Sequence, residues 1–153
     1  MTSSTIGIEI EGLDLAIAAL VQTSEAVDIS ELATDLYLIA QADVDERFRT
    51  APPVRSGGVV YGGVTWPALT TAYLAANPRR EGGQILRDEG ELMNSIQEGD
   101  SDNIAETSPN TVIFGSALPK ARGLSKDRPM LFIHKELADN VVNAIALRIA
   151  ENA

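Results

Sequence analysis

The chain has 153 residues, with 22 acidic against 12 basic side chains, a formal charge of −10 and no cysteine. That length suits one domain with its own core, while the missing cysteine excludes disulfide staples, thiolate metal sites and cysteine nucleophiles. A surface this acidic repels phosphate, so tight nucleic-acid binding through a basic patch is disfavoured; the charge serves solubility, or a wall that nucleic acid passes without sticking.

The chain opens with "STIGIEIEG", where Ile6, Ile8 and Ile10 alternate with Gly7 and Glu9. This is the period of a short strand with one buried face. Leu13, Ile17, Leu20 and Val21 then recur at helical spacing, which predicts a helix over 13–24. Asp28 and Glu31 have the spacing of a capping box. Beyond them Leu32, Leu36, Ala40, Val44 and Phe48 repeat every four residues, with Ile29 and Ala33 widening the stripe, so a helix is expected over 29–50. Pro52 and Pro53 stop it.

Residues 51–65, "APPVRSGGVVYGGVT", read as a long loop with paired glycines at 57–58 and 62–63. No Lys-Ser or Lys-Thr follows them, as a phosphate-binding loop requires. The expectation is an exposed, flexible arm that a partner orders. Pro67 is placed for the first turn of a short helix carrying Leu69, Tyr73 and Leu74, ending near Asn77 and Pro78. "RREGG" reads as a solvated turn, "QIL" as a short apolar segment, and "DEGELMNSI" as a helical turn leading into a strand. From Ser95 the segments "SIQEG", "NIAET" and "TVIFGS" are separated by the turn signals "DSDN" and "SPN", which predicts an antiparallel meander. "ALPKARGLSKDRP" carries four of the chain's basic residues. "MLFI" is a last apolar segment, and a helix over 134–151 closes the chain with Leu137, Val141, Ile145 and Ile149 on one stripe. The expected fold is α+β: a small, mostly antiparallel sheet packed with long N-terminal and C-terminal helices, in one domain spanning 1–153.

Catalytic chemistry is poorly represented. His134 is the only histidine, and a structural or exposed role suits it better than a catalytic one. Asp43, Asp45 and Glu46 share a helix without converging on one point. Asp88, Glu89 and Glu91 crowd a turn without the ligand order of an EF-hand. Ser95 and Ser116 lack a nucleophile elbow. No apolar run approaches bilayer length, and no signal peptide is expected. The expectation is a protein with no catalytic, metal or cofactor residues.

Four motifs in order carry a resemblance. Trp66, Pro67 and Leu69 precede a helix. Ile85, Leu86, Asp88, Gly90, Leu92, Ser95 and Ile96 fit an "iLxdtGxLxxSi" pattern, with Glu89 at its usual threonine or serine. "TVIFGS" follows, and Arg128, Pro129, Leu131 and Phe132 fit an "RPFLG"-like segment in which Met130 replaces the phenylalanine. In these the chain resembles the tail-completion, or virion morphogenesis, family of tailed bacteriophages over residues 8–150. It departs from that family at "ALPKARG", where a tyrosine-alanine and histidine-glutamine stretch is usual.

The resemblance implies a non-enzymatic virion protein at the head–tail junction, a tail-terminator or neck subunit, assembled in the host cytoplasm. It implies a homo-oligomeric ring of six or twelve copies, touching other neck, connector and tail-tube proteins. DNA would pass through without specific binding, and no membrane is involved. Gly90 would permit a tight turn, Leu92 and Ile96 would pin it to the core, and the acidic residues there would face a neighbour or solvent. Interface candidates are Gly57, Gly58, Tyr61, Gly62 and Gly63 in the arm and Lys120, Arg122 and Lys126 in the basic loop, with the acidic charge gathered on the ring's inner wall. The alternatives are a minor tail or connector protein, a part of a phage-derived injection machine, or, more remotely, a small ligand-binding domain or hydrolase.

Overall fold

The computed structural model describes residues 6–10, 29–108 and 111–151, with backbone alone described for 6–10, 29–31, 107–108, 111 and 149. The helix expected over 13–24 and the Asp28–Glu31 capping box lie outside the described residues.

The central element is the helix α1, Ile29–Arg49, about 31 Å long at 1.5 Å per residue. Its stripe of Leu32, Leu36, Ala40, Val44 and Phe48 is buried throughout. Strands β1 (Ile6–Ile10), β4 (Asn103–Ser108) and β5 (Thr111–Ser116) form an antiparallel sheet in the order β1-β5-β4. Ile6 pairs with Ser116 and Ile10 with Val112 along one edge of β5, and Asn103 pairs with the same Ser116 along the other. Val112 and Phe114 alternate inward from the sheet, as a period of two requires. The C-terminal helix, Lys135–Glu151, is antiparallel to α1, because His134 meets Asp43 while Arg148 meets Asp35. The architecture is therefore mixed α+β with antiparallel strands.

Two clusters make the core, and α1 runs through both. The smaller joins Leu32, Ala33 and Leu36 to Val112 and to Leu137, Val141 and Ile145 of the last helix. The larger joins Val44 and Phe48 to Val54, Val60, Trp66, Ile85, Ile96, Phe114 and Met130.

The segment 51–65 departs from expectation. It is not an open arm but a folded hairpin, in which β2 (Gly58–Val59) pairs antiparallel with β3 (Thr65–Trp66). Ala51, Val54 and Val60 are buried, and backbone bonds from Val54 to Gly83 and from Ile85 to Pro52 sew it to the following motif. The glycines serve close approach. A Cβ on Gly57 would lie 2.4 Å from the Trp66 carbonyl oxygen, and one on Gly62 would lie 2.7 Å from the Phe132 ring.

Three smaller expectations also change. Helix α2 is Thr71–Ala76, capped by the Thr70 hydroxyl accepting from the Tyr73 N–H, so Pro67 stands before the helix instead of in its first turn. Arg128 holds the Pro67 and Ala68 carbonyls outside it. The "RREGG" turn is not wholly solvated, for Arg80 is buried. Finally "SIQEG" is no strand. After α3 (Glu91–Asn94) the chain continues in tight turns, with Gln97 bonded to Asn94 and Asp100 to Gln97, and these turns use the amides that a sheet partner would need.

Candidate functional site

The family-motif residues, far apart in sequence, converge on one side of the larger core cluster. Trp66 is fully buried, its ring edge-on to Phe48, and its indole N–H donates to the Pro129 carbonyl at 2.8 Å. Arg128 reaches back across the same seam, donating to Pro67 and Ala68 at 2.9 Å each. Ile85, Leu92 and Ile96 are buried beside them, with Leu69 and Leu86 packed against the cluster. Ser95 and Ser116 are buried together: Ser116 donates to the Ser95 oxygen at 2.7 Å, and Ser95 donates to the Leu92 carbonyl. These serines therefore act as a staple between α3 and β5.

The motif also bends the backbone. Gly90 is left-handed at φ 80° and begins α3. Leu86, at φ 60°, is the one non-glycine residue with positive φ among the described residues. A branched-side-chain residue there is strained and is held by its surroundings. Its side chain lines a cleft of about 380 Å³, together with Leu69, Tyr73, Leu92, Lys120 and Arg128. The basic loop enters this cleft through α4 (Ala121–Leu124) and the residues around it.

The acidic turn is mostly paired within the chain. Asp88 forms a two-pronged ion pair with Arg79, and Glu91 pairs with Lys120. The hydrogen bond from Arg79 holds the Asp88 carboxyl below the usual carboxylate range. Glu89 has the most exposed side chain of the three, 75%, and lies 4.0 Å from Arg79. Arg122 and Lys126 are exposed on the loop beyond.

A second polar constellation was not anticipated from sequence. Arg47, with 0% of its side chain exposed, donates to Asp43 at 2.8 Å, to the Tyr61 carbonyl at 2.8 Å and to the Met130 carbonyl at 2.6 Å. Its guanidinium lies 4.1 Å from the Phe132 ring centroid. Asp43 is also hydrogen-bonded to His134 at 2.6 Å, which fixes the imidazole against α1. Burial pulls the Arg47 guanidinium below its ordinary pKa, against the pull of Asp43. Burial, with a bond to Glu136, pushes the Tyr61 phenol up to about 12. The hub ties α1 to the hairpin and to the segment that leads into the last helix. Its sequence signal was weak: Asp43 and Arg47 flank the apolar stripe of α1, where an i, i+4 pair ordinarily faces water.

Thus Gly57, Gly58, Gly62 and Tyr61 are occupied within the chain. Gly63, Arg122 and Lys126 remain surface residues. Asp45 and Glu46 diverge from Asp43 toward Gln97 and Arg49. Among the described residues no three His, Cys, Asp or Glu side chains form a metal-binding group. Comparison with protein-family models, curated proteins and solved structures finds no match.

Proposed function

We propose that this chain is a non-enzymatic structural subunit of a tailed-phage virion, a tail-completion or neck protein that forms a ring at the head–tail junction and lets DNA pass. The observation that carries the reading is the convergence of the motifs. Trp66, the Ile85–Ile96 segment and Arg128–Met130 interlock around one core seam, so the resemblance rests on residues that hold the subunit's shape together. The polar groups support the same reading. Arg47, Asp43, His134, Ser95 and Ser116 are spent on structure, and the chain's net −10 suits a channel wall along which phosphates slide.

In this reading the subunit's work is done by surfaces: neighbours in the ring, and neck, connector and tail-tube proteins above and below. Removing the gene from the phage that encodes it should leave filled heads and separate tails, with joining restored by adding the purified protein to the lysate. Infectious, fully joined particles without the protein would refute the assignment. The cleft of about 380 Å³ gives a ligand-binding reading a foothold, and a small-molecule thermal-shift screen that raises the melting temperature would favour it.

A further inference from the structure

We infer that the outer edge of β4 is an interaction surface on which a second copy of this chain adds its own β4 in antiparallel order, joining two three-stranded sheets into one. The contact goes beyond the ring reading and does not rest on it.

The parity of the ladder fixes which groups are on offer. Ala117 donates its N–H to the Asp102 carbonyl, and Asn103 stands opposite Ser116 in the next row. Bonded and unbonded rows alternate along an antiparallel pair. Ile104, Glu106 and Ser108 therefore spend their backbone groups on β5, whereas those of Asn103, Ala105 and Thr107 point away from it. The Asn103 N–H turns back to the Asp100 carbonyl. That leaves the Ala105 and Thr107 N–H groups and the Asn103 and Ala105 carbonyls on the outer side, for among the described strands β4 lies at the sheet's edge. Ala105 is exposed although it is in register with the buried Phe114, and Glu106 beside it is exposed as well, so this edge is open to solvent.

Edge strands are ordinarily blunted by lysine, proline or a bulge. The sequence NIAETS has neither residue, and its register against β5 runs unbroken from Asn103 to Ser108.

The chemistry of the edge selects its own copy. An antiparallel strand is complementary to itself, since its outward donors and acceptors meet the same groups in reverse order. Pairing β4 with β1 of the next copy around a cyclic ring is less favourable. Both strands are antiparallel to β5 and so parallel to each other, and parallel pairing is the weaker per residue. Charge then picks the register. Placing Ala105 opposite Thr107 would set Glu106 against Glu106 of the second copy, a like-charge pair. Placing Ala105 opposite Ala105 sets Glu106 against Ile104 instead. In that register Ala105 donates to the Ala105 carbonyl and Thr107 to the Asn103 carbonyl of the other copy, in both directions. Each copy has one β4, so an assembly that contains this two-fold contact has an even number of copies.

The chain has no cysteine, so introduced thiols report the register directly. Under mild oxidation of the full chain, Ile104→Cys and Glu106→Cys should each stay unlinked alone. An equimolar mixture should give a disulfide-linked dimer with one copy of each, because the two positions face across an unbonded row whose Cα atoms lie about 4.5 Å apart, within disulfide reach. Ala105→Pro removes an outward N–H and leaves the bonds to β5 in place. It should keep the wild-type circular dichroism and weaken dimerisation by at least about tenfold, read by sedimentation equilibrium. A single cysteine variant that links to itself, a mixture that stays unlinked, or Ala105→Pro that associates like wild type would overturn the contact. Rings that form without the link would leave the ring reading standing, whereas linked dimers that grow no further would uphold this contact and overturn the ring.

Discussion

Arg47 and Arg79 each grip an aspartate, at 2.8 Å in both cases, yet they stand at opposite extremes of what an ion pair can be worth. Arg47 is sealed inside, with Asp43, two backbone carbonyls and an aromatic ring around it. Arg79 and Asp88 lie at the edge of the cleft with 57% and 36% of their side chains exposed. Water screens the second pair and cannot reach the first. Removing one partner of a buried pair strands the other without solvent, whereas a surface pair returns both ions to water. The hub is therefore structural, and the cleft edge is adjustable surface chemistry. The proposed ring subunit would use both: a rigid body and a face that is free to meet neighbours.

The largest effect should come from breaking the hub. Arg47→Ala leaves Asp43 and the Tyr61 and Met130 carbonyls without their donor and should cost about 3–5 kcal/mol, read by urea denaturation of the full chain. A loss below about 1 kcal/mol would mean that the hub is not what fixes the hairpin to α1. Next is Gly57→Ala, where a Cβ meets backbone at 2.4 Å and φ is 60°. The cost should exceed about 1 kcal/mol, with a shift in Trp66 fluorescence. Gly63→Ala shares the positive φ but has open space, so the difference between the two variants isolates the clash.

The two regions should also part company with pH. The Tyr61 phenol is raised to about 12 by burial and by Glu136, while the unfolded phenol ionises near 10. The unfolded state then releases its proton first, so stability present below pH of about 10 falls as pH rises toward 12. Asp88 runs the other way. Its carboxyl is depressed by Arg79, so stability present above the ordinary carboxylate range is lost as pH falls through the folded pKa, and added salt should shrink that loss. Phe at position 61 should remove the alkaline effect and leave the acid one. The smallest change is expected from Arg79→Ala, a melting temperature indistinguishable from that of an ordinary exposed substitution.

How much of this was legible in the sequence follows the same division between local and distant causes. The stripe from Leu32 to Phe48 specifies its helix by itself, because helical periodicity is written in neighbouring residues, and β4 and β5 follow from alternation and turn chemistry. The hairpin at 51–65 was misread as an open arm. Its glycines look flexible until one knows that the Trp66 carbonyl and the Phe132 ring occupy the space of a side chain, and both contacts are tertiary. "SIQEG" was misread as a strand because its apolar Ile96 is buried by turns, which alternation cannot distinguish from a strand. The motif residues stand out in the sequence, but their spacing carries no sign that Arg128 and Trp66 tie the ends of one seam together. Arg47 was missed because its partners Tyr61 and Met130 lie 14 and 83 residues away. The basic loop was expected to face a neighbour as a whole. Lys120 and Arg128 are instead engaged within the chain, which leaves Lys126 as the other exposed lysine of that loop.

The central proposal is that this chain assembles as a ring. Native mass spectrometry of the purified 153-residue chain tests it most directly, since the mass of a closed ring is an integer multiple of 16.3 kDa. The account predicts one dominant closed species of six or twelve copies, weakened by salt as charge-steered contacts are. A single 16.3 kDa species at every concentration and ionic strength would contradict it.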